Sequence, residues 1–146
     1  MPIQDQYYLY SDASLSSKDE VAIGAILLLN YEQMEQLRYL SIEEIKEKIV
    51  QKLIYEKITT KRSTYAEMQT LNLALEAIET TLQNKPRIHV YTDCENICYL
   101  FGERKAKLIQ SKFKSKTGKD LKNKNIYINL LDKLRYFDIL THKIKG

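Results

Sequence analysis

The spacing of apolar and polar positions changes period several times along the chain, and each change marks an element. Tyr7 to Ala13 is rich in aromatic residues and reads as a strand; Val21 to Asn30 (VAIGAILLLN) reads as a second, after the polar connection Ser14 to Glu20. The short link makes the pair a hairpin. Ser41 to Lys48 (SIEEIKEK) places Glu44 three residues after Ser41, a capping-box start for a short helix. Val50 to Thr59 then forms a third strand or continues that helix. The clearest element comes next. From Thr64 to Leu82, Met68, Leu71, Leu75, Ile78 and Leu82 recur at three- and four-residue intervals, the stripe of an amphipathic helix packed on a sheet, and Asn84 with Pro86 ends it. Arg87 to Asp93 is a strand, Glu95 to about Ile109 a helix, Ile126 to Arg135 a short helix, and Tyr136 to Lys145 the last strand. Alternation of strands and helices in the second half implies parallel pairing there. The order predicts an α/β fold with a five-stranded mixed sheet, its first three strands antiparallel and the rest parallel, flanked by helices.

Composition adds bounds to this picture. At 146 residues the chain fits a single domain that can bury a proper core without disulfides or structural metals. It contains no run of eighteen apolar residues, and MPIQDQ lacks the charged start and apolar stretch of a signal peptide, so a soluble cytoplasmic protein with no membrane partner is expected. The two cysteines, Cys94 and Cys98, lie four apart on one side of a helix and read as reduced, half-buried thiols; a zinc site would need two further ligands that the neighbouring sequence does not offer. The net charge of +4 conceals an asymmetry: residues 1–102 hold ten Lys and Arg against fifteen Asp and Glu, residues 103–146 thirteen against four. The densest part is Arg104 to Lys124, where nine cations, among them Lys105, Lys112, Lys114, Lys116, Lys119, Lys122 and Lys124, meet only Asp120. Such a stretch reads either as a solvated, partly disordered loop or as a face that binds a phosphate backbone.

Three acids carry the candidate chemistry: Asp12 in YYLYSDAS, Glu67 in STYAEMQTL and Asp93 in IHVYTDCEN, each set in an apolar stretch that should bury it. Buried carboxylates are rare unless paired or bound to a metal. Strand alternation puts Tyr8, Tyr10 and Asp12 on one face, and His89, Tyr91 and Asp93 on one face, with both aspartates at the ends of their strands. If those strands are parallel neighbours, about 4.8 Å apart, the two carboxylates stand side by side at the carboxyl edge of the sheet, where open α/β sheets bind ligands. A helix crossing that face brings Glu67 to the same point. Three anions so close repel and take up protons unless a cation joins them, and Mg²⁺ or Mn²⁺ suits hard oxygen ligands. Other residues have plainer readings. His89 is expected in the core, most tyrosines in packing, Ser63 and Thr64 at the helix cap, and Asp132 and Asp138 in solvent rather than as a fourth ligand.

With those residues in view the chain resembles type I ribonuclease H. YLYSDAS followed by AIGAIL is similar to the family's first hairpin, KRSTYAEMQTLNLALEAI to its first long helix with the catalytic glutamate, and VYTDCENICYL to its fourth strand with the second aspartate. The resemblance spans nearly the whole chain in the family's order. It implies a ribonuclease H-like fold and a metal-dependent endonuclease that hydrolyses the RNA strand of RNA/DNA hybrids. It also implies two divalent ions per site with substrate bound, held by Asp12, Glu67 and Asp93, and products with 5′-phosphate and 3′-hydroxyl ends. Ser14, Ser63, Thr64 and the lysine cluster would meet the nucleic acid. Two departures stand out. The sequence ends at Gly146, before the family's fourth carboxylate, so a chain lacking the family's C-terminal helix is expected; and Ala13 with SLSSKDE replaces a Gly-rich loop whose backbone meets RNA 2′-hydroxyls. These departures keep two alternatives open: a non-catalytic module of the same fold that binds nucleic acid or protein, and a nuclease acting on structured RNA or DNA.

Overall fold

The computed structural model describes residues 6–16, 21–37, 39–41, 43, 44, 47, 53–59, 63–79 and 85–144. Its strands are β1 (Gln6–Ser16), β2 (Val21–Asn30), β3 (Leu53–Thr59), β4 (Arg87–Thr92) and β5 (Asp138–Lys143). Its helices are α1 (Tyr31–Leu37), α2 (Ser63–Glu79), α3 (Glu95–Phe101), α4 (Arg104–Gln110) and α5 (Lys124–Asp132), with a 3₁₀ turn over Lys133–Arg135. The strands form one mixed sheet in the order β3-β2-β1-β4-β5. β2 runs antiparallel to both β1 and β3, and β4 runs parallel to both β1 and β5.

Period-two alternation decides what each face of the sheet does. On one face Leu9, Ile26, Ile88 and Val90 are buried against Met68, Leu71 and Leu75 of α2, with Ile126 and Leu130 of α5 and Phe137 completing the same core. That apolar burial is the main stabilising term. The opposite face carries rings. Tyr8 stacks on its register partner His89 at 4.9 Å between centroids, and Tyr10 on its partner Tyr91 at 4.6 Å. Tyr91 stacks in turn on His142 at 4.8 Å. His89 is therefore not a core residue: it is half-buried on this second face, with Nε2 2.8 Å from Gln6 Oε1 and Nδ1 2.9 Å from His142 Nε2.

Several boundaries differ from the sequence reading for local reasons. The helix α1 was not anticipated. It has no buried residue and so shows no apolar stripe, yet its start is written in Asn30 and Gln33, which cap each other reciprocally: Gln33 N donates to Asn30 Oδ1 at 2.8 Å and Asn30 N to Gln33 Oε1 at 2.9 Å. The capping box at Ser41 and Glu44 does form, with Glu44 N donating to Ser41 Oγ at 3.2 Å, while most of the helix expected after it lies outside the described residues. The stretch Leu53–Thr59 pairs with β2, which decides strand over helix. α2 begins at Ser63, so Thr64 sits within its first turn rather than at its cap, and Leu82 lies outside the described residues. The helix expected over Glu95 to Ile109 breaks at Gly102, whose N–H turns back to Tyr99 O at 3.1 Å, since glycine is a poor helix interior. No described helix is long and apolar enough to cross a membrane.

Candidate metal centre

The register of β1 against β4 explains why two aspartates meet. Pairing runs from Gln6 opposite Arg87 to Tyr10 opposite Tyr91. Continued by two residues, the same register sets Asp12 opposite Asp93, just where β4 ends at Thr92 and the two strands part. Asp93 thus terminates its strand as expected. Asp12 does not: β1 continues to Ser16, held only by β2. The helix α2 supplies Glu67, whose Oε1 accepts the Ala13 N–H at 3.1 Å, while the same N–H lies 2.9 Å from Asp12 Oδ1. One ligand oxygen from each of Asp12, Glu67 and Asp93 falls within 4.8 Å of the others.

The electrostatics of this cluster are unfavourable as they stand. Burial pushes the Glu67 carboxyl up to about 8; the Ala13 N–H opposes that, and the charges of Asp12 and Asp93 reinforce it. Its other oxygen, Oε2, is buried without a hydrogen-bond partner. Nothing in this set of influences is a cation. Burial did not predict the cluster correctly, however: Glu67 and Asp93 are half-buried, but Asp12 is exposed. Cys94, next in sequence to Asp93, is a half-buried free thiol raised above its usual range by burial. Cys98 is likewise free and half-buried.

A hard divalent cation fits this donor set. Three carboxylates converge, one oxygen is orphaned, and no cation among the described residues is paired with them, which is the complement of an ion that takes oxygen ligands and retains waters. Glu95, Asp138 and Asp132 are committed elsewhere. Glu95 at the start of α3 is ion-paired with Lys143 of β5, which holds its carboxyl below the usual range. Asp138 pairs with Arg87 at 3.0 Å at the far end of the sheet, and Asp132 with Arg135 at 3.5 Å, so neither joins the cluster.

The basic stretch is ordered rather than a loose loop. Lys112 and Phe113 take left-handed φ values of 55° and 61°, which reverses the chain after α4 and tucks Phe113 against the core. A small hairpin follows: Lys114 bridges Asp120, Ser115 N donates to Lys119 O at 2.7 Å, and Gly118, at φ 84°, makes the turn. Lys105, Lys112, Lys114, Lys116, Lys119 and Lys122 are exposed on and beside it; Lys124 is half-buried and its charge is answered by Asp120 at 3.3 Å. Ser14 is exposed two residues beyond Asp12 on the same strand face, Thr64 is half-buried, and the Ser63 side chain lies outside the described residues.

One residue was missed altogether. Asn123 precedes α5 but makes no capping bond with its side chain, and its Oδ1 is buried without a partner. It lines a polar cleft of about 370 Å³ with Tyr65, Gln69, Lys122 and Asn129, between α2 and α5. The cluster KNKN at a helix start was the available signal.

By sequence, no family model and no curated protein matches the chain. Its likeness to known proteins is one of shape. It superposes with a TM-score of 0.68 on LC9-RNase H1, a type 1 RNase H with the type 2 active-site motif, at 13% identity, covering 100% of this chain and 65% of that one. A foamy viral protease-reverse transcriptase in complex with dsDNA gives 0.64 at 17% identity, covering 100% of this chain and 87% of that one. LC11-RNase H1 in complex with RNA/DNA hybrid gives 0.60 at 13% identity, over 94% and 84%. The fold is therefore ribonuclease H-like.

Proposed function

We propose that this protein is a divalent-metal-dependent nuclease that hydrolyses the RNA strand of RNA/DNA hybrids and leaves 5′-phosphate and 3′-hydroxyl ends. The observation that carries the reading is the convergence of Asp12, Glu67 and Asp93 within 4.8 Å at the carboxyl edge of a ribonuclease H-like sheet. The three carboxylates would hold Mg²⁺ or Mn²⁺, two ions when substrate is bound. Such ions supply activation of a water and stabilisation of the departing 3′-oxygen. The protein's own part is to fix the ligands: the Ala13 N–H orients Glu67 and Asp12, and the parting of β1 from β4 opens the edge to a phosphodiester.

Binding of the duplex falls to the basic hairpin. Its exposed lysines lie on a backbone tied by hydrogen bonds, so their charge is presented in a fixed place and contributes affinity without sequence choice. Asn123 and its cleft adjoin that hairpin through Lys122 and offer neutral donors and acceptors to sugar and phosphate groups. Solved proteins of this shape in complex with RNA/DNA hybrid or dsDNA support a duplex as the substrate class.

The test is incubation with labelled RNA/DNA hybrid, double-stranded RNA and double-stranded DNA, with Mg²⁺ or Mn²⁺, comparing the wild type with Asp12→Asn. Hybrid cleavage by the wild type, lost in the variant, is expected. Cleavage that survives the substitution refutes the site, and cleavage of double-stranded RNA or DNA in preference to hybrid refutes the substrate.

A further inference from the structure

The ligand Glu67 sits on a helix, while Asp12 and Asp93 sit on strands, so the cluster's geometry depends on how closely α2 approaches the sheet. One contact sets that distance. A Cβ built on Gly24 would lie 2.2 Å from Thr70 Oγ1, 2.6 Å from its Cγ2 and 2.9 Å from its Cβ. Real Cβ contacts do not occur at such separations, so the absence of a side chain at position 24 is what lets the helix lie where it does. The backbone of Gly24 needs no left-handed conformation, since among the described glycines only Gly118 has positive φ; the requirement is space.

Thr70 has no easy way to yield. It is β-branched, 1% exposed, and its Oγ1 donates to Ala66 O at 2.8 Å. A methyl group at position 24 would therefore push the helix away from the sheet by roughly 1 Å, the difference between the clash and an ordinary contact. Thr70 lies three residues after Glu67, hence on the same side of α2. Gly24 is the register partner of Ala13, whose N–H holds Glu67 Oε1. The packing contact and the ligand contact thus share one rung of the β1–β2 ladder. A ligand displaced by about 1 Å no longer suits Mg²⁺, which demands oxygens at about 2.0–2.1 Å in near-octahedral geometry.

We propose that Gly24 and Thr70 are positioning residues for Glu67: the seating of the Thr70 side chain on the bare backbone of Gly24 fixes the cation site by fixing the standoff of α2. The inference rests on the metal-centre reading above. It predicts that Gly24→Ala stays folded by circular dichroism but binds Mn²⁺, measured by electron paramagnetic resonance without nucleic acid, at least about tenfold more weakly than wild type. Thr70→Ala removes the two closest atoms and leaves its Cβ 2.9 Å from the new methyl, an overlap that a shift of only a few tenths of an ångström relieves, so it should restore affinity in the Gly24→Ala/Thr70→Ala double variant to within about threefold. Wild-type affinity in folded Gly24→Ala overturns the proposal, as does a folded double variant that remains weak. If Gly24→Ala does not fold, the double variant compared with Thr70→Ala alone makes the same decision, because compensation requires the two to bind alike. Amide exchange of Ala13 separates this proposal from the metal reading: it should quicken several-fold in Gly24→Ala as Glu67 withdraws, whether or not the wild type binds any cation. Unchanged exchange in the folded variant would defeat the positioning role on its own, whereas a wild type that binds no cation would defeat the metal centre.

Discussion

The two ends of β4 treat carboxylates in opposite ways. At its start Arg87 meets Asp138 of β5 at 3.0 Å, one cation for one anion, on the rung where the two residues are register partners. At its end Asp93 meets Asp12 and Glu67, three acids within 4.8 Å, and no cation figures among the charges acting on Glu67. The same parallel sheet could have matched both ends. Lys143, the register partner of Thr92 at that second end, is taken by Glu95, and among the described residues no cation is paired with the three acids. Perturbing one end while the other serves as control tests that asymmetry.

The largest difference is expected in catalysis. Asp12→Asn should lower hybrid cleavage by at least about a hundredfold, because one ligand charge is removed where charge stabilisation is the main catalytic resource. Asp138→Asn should leave cleavage within about twofold, since its partner Arg87 stands at the other end of the strand. Equal losses in steady-state assays at saturating Mg²⁺ would erase the distinction between the two ends.

Next in size is a pH effect carried by Glu67. Its carboxyl is raised from 4.5 to about 8, so the folded state holds that proton more tightly than the unfolded chain does. The stability it contributes is therefore complete below about pH 4.5 and is lost as pH rises through about 8. Thermal melts of metal-free protein should show that decline between those limits, and a divalent cation, by taking the proton's place, should remove it. Glu67→Gln should flatten the profile without any cation. A slope unchanged by Glu67→Gln would assign the titration to another group.

How much of this was legible beforehand follows the same physics. The strands β2 and β4 and the long helix were readable because period and flanking residues agreed, and the meeting of Asp12 with Asp93 was readable because alternation and parallel pairing fix both side and height. What escaped had weak or misleading signals. The helix α1 has no fully buried residue and so no apolar stripe, which leaves its caps as the signal. Asp12 was expected to be buried by its aromatic neighbours, yet β4 ends beside it and leaves it exposed; burial is decided by where the neighbouring strand stops, which local sequence does not record. His89 looked like core because its strand is apolar, but only every second residue of that strand faces the core. The basic stretch stayed open between a loose loop and a phosphate-binding face because charge was all that sequence displayed; Phe113 and Leu121, packed against the core, were the overlooked cue to its fold.

That anchored hairpin supplies the third contrast, since its cations, unlike Arg87, have few carboxylates to answer them. Replacing Lys116 and Lys119 together by Ala should weaken duplex binding uniformly across sequences and lower the slope of log affinity against log salt by about 2, near 0.9 for each phosphate left without a cation. Unfolding should be hardly affected, as both side chains are exposed. An unchanged salt slope would remove the hairpin from the interface.

The smallest effect belongs to the matched end itself. The Arg87 and Asp138 side chains are 38% and 41% exposed, so solvent screens their attraction and a double-mutant cycle with Arg87→Ala and Asp138→Ala should give a coupling of only about 0.5 kcal/mol. Added salt should shrink it further, because a pair open to solvent is screened by mobile ions. The acidic end should respond in the reverse sense: salt cations relieve repulsion among Asp12, Glu67 and Asp93, so the metal-free protein gains stability there while it loses a little at Arg87. Chemical denaturation of the metal-free single variants Asp12→Asn and Asp138→Asn at low and high ionic strength separates the two. Removing one acid from the crowded end should stabilise or leave unchanged, and removing one from the paired end should destabilise slightly; destabilisation by both would mean that the three acids are held by an attraction the geometry does not reveal.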